Sequence, residues 1–333
     1  VYRTFLIHVL KTSRYRLSKI ERKSMKLAQI YQPGNGYQLV RVQDEKVYPV
    51  VNEEHGLNTL LDFVRYAQEQ EHDLMNLVTK DCSEYPLPRT WSELNVSPNR
   101  TTSHVALPIH PPEVWACGVT YKKSAEFRDE DSETSQGIYD QVYFSKRPEL
   151  FFKGTDQRCT GPNDFIGIRK DSKFTAVEPE LAVLLNSRRK IVGFMASNDV
   201  SAWDIERENP LYLPQSKIFS GCCALGPVLL TAESIPDPYS LSIQCKIERG
   251  KKLIFRGETQ LSMMKRSIDE LIEWLFYANP VPDGTVLLTG TGIIQTEDAA
   301  LKEGDIVKIT IPEIGTLTNT AKLVGTSLSS WQQ

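Results

Sequence analysis

Val177-Glu178-Pro179-Glu180-Leu181-Ala182-Val183-Leu184-Leu185 sets two carboxylates at the head of a short apolar run. The run from 180 to 185 alternates poorly, as a strand covered on both faces would. Strand side chains point to opposite faces in turn, so Glu178 and Glu180 share a face. Two like charges on a buried face repel each other and are costly to desolvate. A divalent cation between them removes that penalty. Oxygen ligands suit a hard ion, Mg²⁺ first, with Mn²⁺ or Ca²⁺ fitting the same set. The plainer reading of Glu-x-Glu is an exposed edge where both acids are solvated.

Three segments downstream add to this. An apolar strand at 191–195 leads into Ser197-Asn198-Asp199-Val200-Ser201, where Asp199 is either a third carboxylate or an Asx turn closing the strand. In Leu213-Pro214-Gln215-Ser216-Lys217, a lysine near a metal-bound anionic substrate could pair with its carboxylate or relay a proton; the alternative is an ordinary surface lysine. Leu287-Leu288-Thr289-Gly290-Thr291-Gly292 is Gly-x-Gly, but Gln295 stands where the dinucleotide fingerprint needs its third glycine, and no crossover helix follows. A tight turn offering N–H groups and the Thr291 hydroxyl to an anion is the better reading.

Around these segments strands dominate. Residues 26–52 read as a meander of three strands, and a helix follows with Leu60, Leu61, Val64 and Ala67 on one face and Asn58 or Thr59 as cap. The stretch 81–112, rich in Pro, Ser and Thr, reads as a linker. From 113 onward, Arg249-Gly250 marks a hairpin, Ser267 and Glu270 mark the start of a helix, and 286–289 and 306–311 are further strands. Helices are too few for a doubly wound sheet, so the fold class is mainly β (α+β), mostly antiparallel. The predicted divisions are a basic extension at 1–24, a small N-terminal α/β domain with its linker at 25–112, a catalytic domain at 113–325 and a tail at 326–333. The extension could be a transit peptide; an upstream addition before a start at Met25 fits better, because a strand begins there.

The 333 residues are 40% hydrophobic and 24% charged, with a net charge of −3. That balance lacks the basic excess of a nucleic-acid binder, and no apolar window reaches the length of a membrane span. The six cysteines form no C-x-x-C pair and read as free thiols in a reducing, cytoplasmic setting. All five histidines precede residue 111. Chemistry housed beyond that point therefore uses carboxylates, lysine, hydroxyls or a metal.

Taken in order, Glu178-x-Glu180, Asn198-Asp199-x-Ser201-Ala202-x-Asp204, Lys217 and Thr289-Gly290-Thr291 resemble the fumarylacetoacetate hydrolase family. The segments Leu301-Lys302-Glu303-Gly304-Asp305-Ile306-Val307 and Ile314-Gly315-Thr316-Leu317-Thr318-Asn319 resemble its C-terminal strands. The resemblance implies a β-roll catalytic domain, a homodimer or higher homo-oligomer, and a small 2-keto acid as substrate. It implies Glu178, Glu180 and Asp199 as metal ligands, Lys217 beside the substrate, and Ser201 and Thr291 as substrate contacts.

Two departures bear on the reaction. Hydrolytic members usually carry a water-activating histidine where Gly118-Val119-Thr120-Tyr121-Lys122-Lys123-Ser124 has Ser124. The Ser201-Ala202-x-Asp204 motif usually has arginine where this chain has Trp203. The runs 118–121, 147–153 and 208–215 are similar to the sugar-acid dehydratase branch, whose substrates are of the 2-keto-3-deoxy-arabinonate type. The expected activity is a Mg²⁺-dependent hydro-lyase giving a dioxo acid through an enolate, with Lys217 as one proton carrier. The other is an acid among Glu126, Asp129, Glu130, Asp131 and Glu133, with Glu130 taken as the working choice. The competing readings are an acylpyruvate hydrolase or oxaloacetate decarboxylase on the same scaffold, and a non-catalytic binding module.

Overall fold

A computed structural model describes residues 24–124 and 137–325. The tail 326–333, all but the last residue of the basic stretch at 1–24, and the acidic run holding Glu130 lie outside the described residues.

The chain opens with β1 (Lys26–Gln32), β2 (Gly36–Gln43) and β3 (Lys46–Pro49), then α1 (Leu60–Glu69), α2 (Leu74–Asp81), α3 (Trp91–Leu94) and β4 (His104–Val105). Thr59 starts α1 with a complete capping box to Asp62, which decides the cap between Asn58 and Thr59. The segment 81–112 is packed against the sheet. The buried Gln29 side chain donates to the Leu107 carbonyl at 2.7 Å and accepts from the Leu60 amide at 3.1 Å. Leu94, Val105, Leu107 and Ile109 are all buried.

The next elements are β5 (Val114–Gly118), α4 (Ile138–Phe144), β6 (Glu149–Gly154), β7 (Cys159–Thr160), β8 (Phe165–Arg169), β9 (Thr175–Ala176), β10 (Pro179–Leu185), β11 (Ile191–Asp199) and β12 (Ser201–Ala202). Two short helices, α5 (Trp203–Glu208) and α6 (Leu213–Lys217), precede β13 (Cys223–Thr231), β14 (Ser242–Arg249), β15 (Lys252–Gln260), α7 (Ile268–Leu275), β16 (Thr285–Leu288), β17 (Ile306–Ile311) and β18 (Gly315–Val324).

The large sheet runs β3-β2-β1-β13-β11-β10-β16-β5-β6, with β4 beside β1 and β7 beside β13. The second sheet runs β15-β14-β17-β18-β8, and β12 pairs with β9. Among the described pairs, only β13 with β7, β16 with β5 and β18 with β8 are parallel. The fold is mixed α+β, rich in strands and mostly antiparallel.

Every residue of β10 and of β13 is buried. Both strands lie inside the large sheet, which explains apolar runs without alternation. β1 pairs with β13, so the N-terminal strands extend the same sheet that carries β10 and β11. That arrangement sets the carboxylate segment inside the large sheet, flanked by β11 on one side and β16 on the other.

Candidate active site

Glu178 and Glu180 are buried, at 4% and 1% exposure, which excludes the solvated-edge reading. β11 does not stop at Met195. It pairs with β10 through Asn198 and with β13 through Asp199. No Asx turn forms: Asn198 Oδ1 accepts from the Glu178 amide at 3.0 Å, and the Asp199 amide donates to the Glu178 carbonyl at 2.9 Å. These bonds lock the two strand ends together and bring Asp199, 1% exposed, against the glutamates. Candidate ligand oxygens of Glu178, Glu180 and Asp199 all lie within 4.8 Å of one another.

Each carboxylate has its own holder. Gly290, at φ +92°, turns its amide onto Glu180 Oε2 at 2.6 Å. The anion expected at this glycine turn is therefore the protein's own carboxylate. A Cβ on Gly290 would sit 2.0 Å from Thr120 Oγ1, so the turn needs glycine for space as well as for φ. Asp199 Oδ1 is paired with Lys153 Nζ at 2.5 Å. Glu178 Oε1 accepts from Trp203 Nε1 at 2.6 Å and from Lys217 Nζ at 2.8 Å.

Lys217 is no surface lysine. It is 2% exposed, and its ammonium also reaches Ser201 Oγ at 2.7 Å and Asp199 Oδ2 at 3.3 Å. Ser201 in turn donates to the Asp199 carbonyl at 2.9 Å, so its hydroxyl holds the lysine. Thr291 lines the pocket beside the cluster, with Lys217, Glu178, Ser124, Glu149, Glu206 and Phe151 among the other wall residues. Ser201 is not in that wall. Glu130 lies outside the described residues.

Electrostatics fit this crowding. Burial pushes the Glu180 carboxyl well above the usual range, and the charges of Asp199 and Glu178 push it further, against the Gly290 amide and Lys217. Burial is the largest influence on the Lys153 ammonium and pulls it down, but the charge and hydrogen bond of Asp199 together with Cys222 leave the net shift upward. Burial and then Glu180 raise the Tyr121 phenol. Glu180 Oε1, Tyr121 OH and Asn198 Nδ2 are buried at the cluster without a hydrogen bond, and Asp199 Oδ1 has only its ion pair with Lys153.

A hard divalent cation suits this set. The ligands are all oxygen and buried, and one glutamate oxygen is unsatisfied. Two ligands of one Mg²⁺ lie at most about 4.2 Å apart and those of Ca²⁺ about 5 Å, so a small contraction is enough. A cation here would also reverse the upward shift of Glu180.

Several site residues carry no distinct signal in the sequence. Lys153 closes the apolar run Leu150-Phe151-Phe152, and nothing in that run marks its lysine as buried. Glu149 and Glu206 look like ordinary surface acids. The position of Glu149 depends on close approach: a Cβ on Gly118 would lie 1.9 Å from Glu149 Oε2. Trp203 stands out in the sequence only as a departure from the usual arginine.

Fold and cluster together define a strand-rich scaffold built round a carboxylate site for a divalent metal. The chain belongs to the fumarylacetoacetate hydrolase family. The family model described as fumarylacetoacetate (FAA) hydrolase C-terminal matches residues 114–322. The chain is 49% identical over 221 residues to the 2-dehydro-3-deoxy-D-arabinonate dehydratase of Saccharolobus solfataricus, covering 66% of this chain and 74% of that one. It is 44% identical over 221 residues to a Haloferax volcanii protein named "Probable 2-keto-3-deoxyxylonate dehydratase", covering 66% and 76%. A solved 2-keto-3-deoxy-D-arabinonate dehydratase, complexed with magnesium and 2,5-dioxopentanoate, superposes with TM-score 0.77 at 38% identity, over 91% of this chain and 100% of that one. All six cysteines are free thiols, and no described helix is long and apolar enough to cross a membrane.

Proposed function

We propose that this protein is a Mg²⁺-dependent dehydratase of a 2-keto-3-deoxy sugar acid, of the 2-keto-3-deoxy-arabinonate type, forming a 2,5-dioxo acid and water. The observation that carries this is the pocket wall. Beside the carboxylate cluster it offers Glu149, Glu206 and the Ser124 hydroxyl, with Lys217 as the one cation and no histidine among the described lining residues. Carboxylates accept hydrogen bonds from sugar hydroxyls, whereas a second carboxylate on the substrate would be repelled. The names of the two curated relatives and of the solved dehydratase support the same reading.

Glu178, Glu180 and Asp199 hold the metal, which supplies Lewis acidity at the 2-keto oxygen. Thr291 and Lys217 contact the carboxylate end of the substrate, and Ser201 acts through Lys217. A proton leaves C3 and the C4 hydroxyl departs with a proton as water. A proton then moves from C5 to C3, giving an enol across C4 and C5, and the hydroxyl proton of that enol moves to C4, which leaves C5 as an aldehyde and balances the reaction. Lys217 is one proton carrier. Glu130 is the proposed second, and Glu149 and Glu206 are placed to share that task. The catalytic unit is residues 113–325, following the small N-terminal domain at 25–112, and the assembly is a homodimer.

Metal-loaded protein incubated with 2-keto-3-deoxy pentonates and hexonates beside acylpyruvates decides the matter by mass spectrometry. A product lighter by one water from a sugar acid is the expected outcome. Pyruvate released from an acylpyruvate, with the sugar acids unchanged, would replace the dehydratase with a hydrolase.

A further inference from the structure

We infer that Trp203 is a positioning residue of the metal site, a neutral donor that aims Glu178 without adding positive charge to the cluster. This rests on the reading of Glu178, Glu180 and Asp199 as cation ligands. The indole lies at the start of α5, is 4% exposed, and donates to Glu178 Oε1 at 2.6 Å. Its ring is fixed from behind by Phe174, with centroids 5.3 Å apart and planes at 69°. Two χ angles and this edge-on packing leave the N–H a single direction, so the carboxylate it holds is also held.

Charge explains why a neutral donor fits here. Glu178, Glu180 and Asp199 face two buried ammonium groups, Lys153 and Lys217. With all five ionised, the group carries three negative charges and two positive. A third fixed cation would cancel that excess and weaken the attraction for a divalent ion. An arginine at this position, as the family motif usually has, would be that third cation. The indole supplies a directed hydrogen bond to the carboxylate and adds no charge of its own. Glu180 is held by a backbone amide and Asp199 by Lys153 and Lys217, and Trp203 gives Glu178 a neutral donor beside Lys217.

The test is cation affinity, measured without substrate. Mn²⁺ binding is followed by electron paramagnetic resonance, and Mg²⁺ binding by calorimetry, on wild type and Trp203→Phe. Circular dichroism confirms that the metal-free proteins are folded. Trp203→Phe keeps an aromatic ring against Phe174 but loses the N–H. The dissociation constant is expected to rise about ten- to a hundred-fold, the usual effect of removing an outer partner of a metal ligand. A packing role alone would lower the stability of the metal-free protein and leave the affinity unchanged, and that result overturns the assignment. Wild-type protein that binds no Mn²⁺ overturns the metal reading and this one with it.

Should Trp203→Phe fail to fold, the wild-type indole signals give the answer by ¹⁵N NMR. Phe variants of Trp91, Trp115, Trp274 and Trp331 identify the Trp203 signal by elimination. A strongly downfield indole proton that shifts as Mg²⁺ saturates the site supports the role; an indole signal indifferent to Mg²⁺ overturns it.

Discussion

Lys153 is fully buried, and its ammonium is divided among Asp199 Oδ1, the Val200 carbonyl and the Lys217 carbonyl. Replacing it with methionine keeps the side-chain length and leaves Asp199 without its counter-charge. Removing one partner of a buried pair costs about 3–5 kcal/mol, so urea unfolding of metal-free Lys153→Met should show a loss of that order. A loss below about 1 kcal/mol, the scale of exposed pairs, would mean that water reaches the pair. Residues of this kind divide by how they announce themselves. Glu178 and Glu180 are legible because a spacing of two on a strand fixes a shared face. Asp199 and Lys217 become legible through their order after that pair. Lys153, Glu149 and Glu206 are not, because each joins the site through strand and helix placement that no local spacing encodes. Ser201 shows a further limit: its position near the cluster is readable, but its engagement with Lys217 and the Asp199 carbonyl is not.

Helix ends and tight turns are settled within a few residues, so they are the most legible elements. Thr59 and Asp62 complete a capping box on α1. Thr59→Ala should lower unfolding stability by about 1 kcal/mol in chemical denaturation and leave turnover unchanged, since α1 contributes nothing to the pocket wall. A fall in turnover at equal folded fraction would contradict that separation. The hairpin of β14 and β15 is equally local: Arg249 pairs with Lys252 across a two-residue loop, and Gly250 takes φ +60°. Joints between distant segments are another matter. The pairing of β1 with β13 sets Lys26 against Leu230, and the parallel pairing of β16 with β5 sets Val286 against Val114. Nothing in the hydrophobic pattern of either partner names the other. For the same reason the segment 81–112 reads as a linker from composition, although Gln29 and four apolar side chains tie it to the sheet. β11 shows the same effect at smaller scale: its polar end, Ser197 to Asp199, continues as strand because β10 and β13 supply partners on both sides.

At the scale of the whole molecule, the site and the stability of the fold are coupled. The carboxylate cluster lies at the centre of the large sheet, between strands that close the core. Without a cation, folding must bury Glu178, Glu180 and Asp199 together, and Glu180 responds by holding its proton far above the usual range. A divalent ion binds the folded arrangement and has no preformed site in the unfolded chain. Free Mg²⁺ at a hundred times its dissociation constant therefore adds about 2.7 kcal/mol to unfolding stability. Thermal unfolding should rise by several degrees on adding Mg²⁺, climb with its concentration, and fall back on chelation. Glu178→Gln and Asp199→Asn should fold and lose both the Mg²⁺-dependent rise and the activity. The variants also separate two origins of a salt effect. Screening of surface charge would move them in step with wild type, whereas occupation of the cluster moves wild type alone. If both variants keep the full Mg²⁺-dependent rise, the ion binds elsewhere, and the buried carboxylates are a structural network held by Lys153, Lys217 and the Gly290 amide.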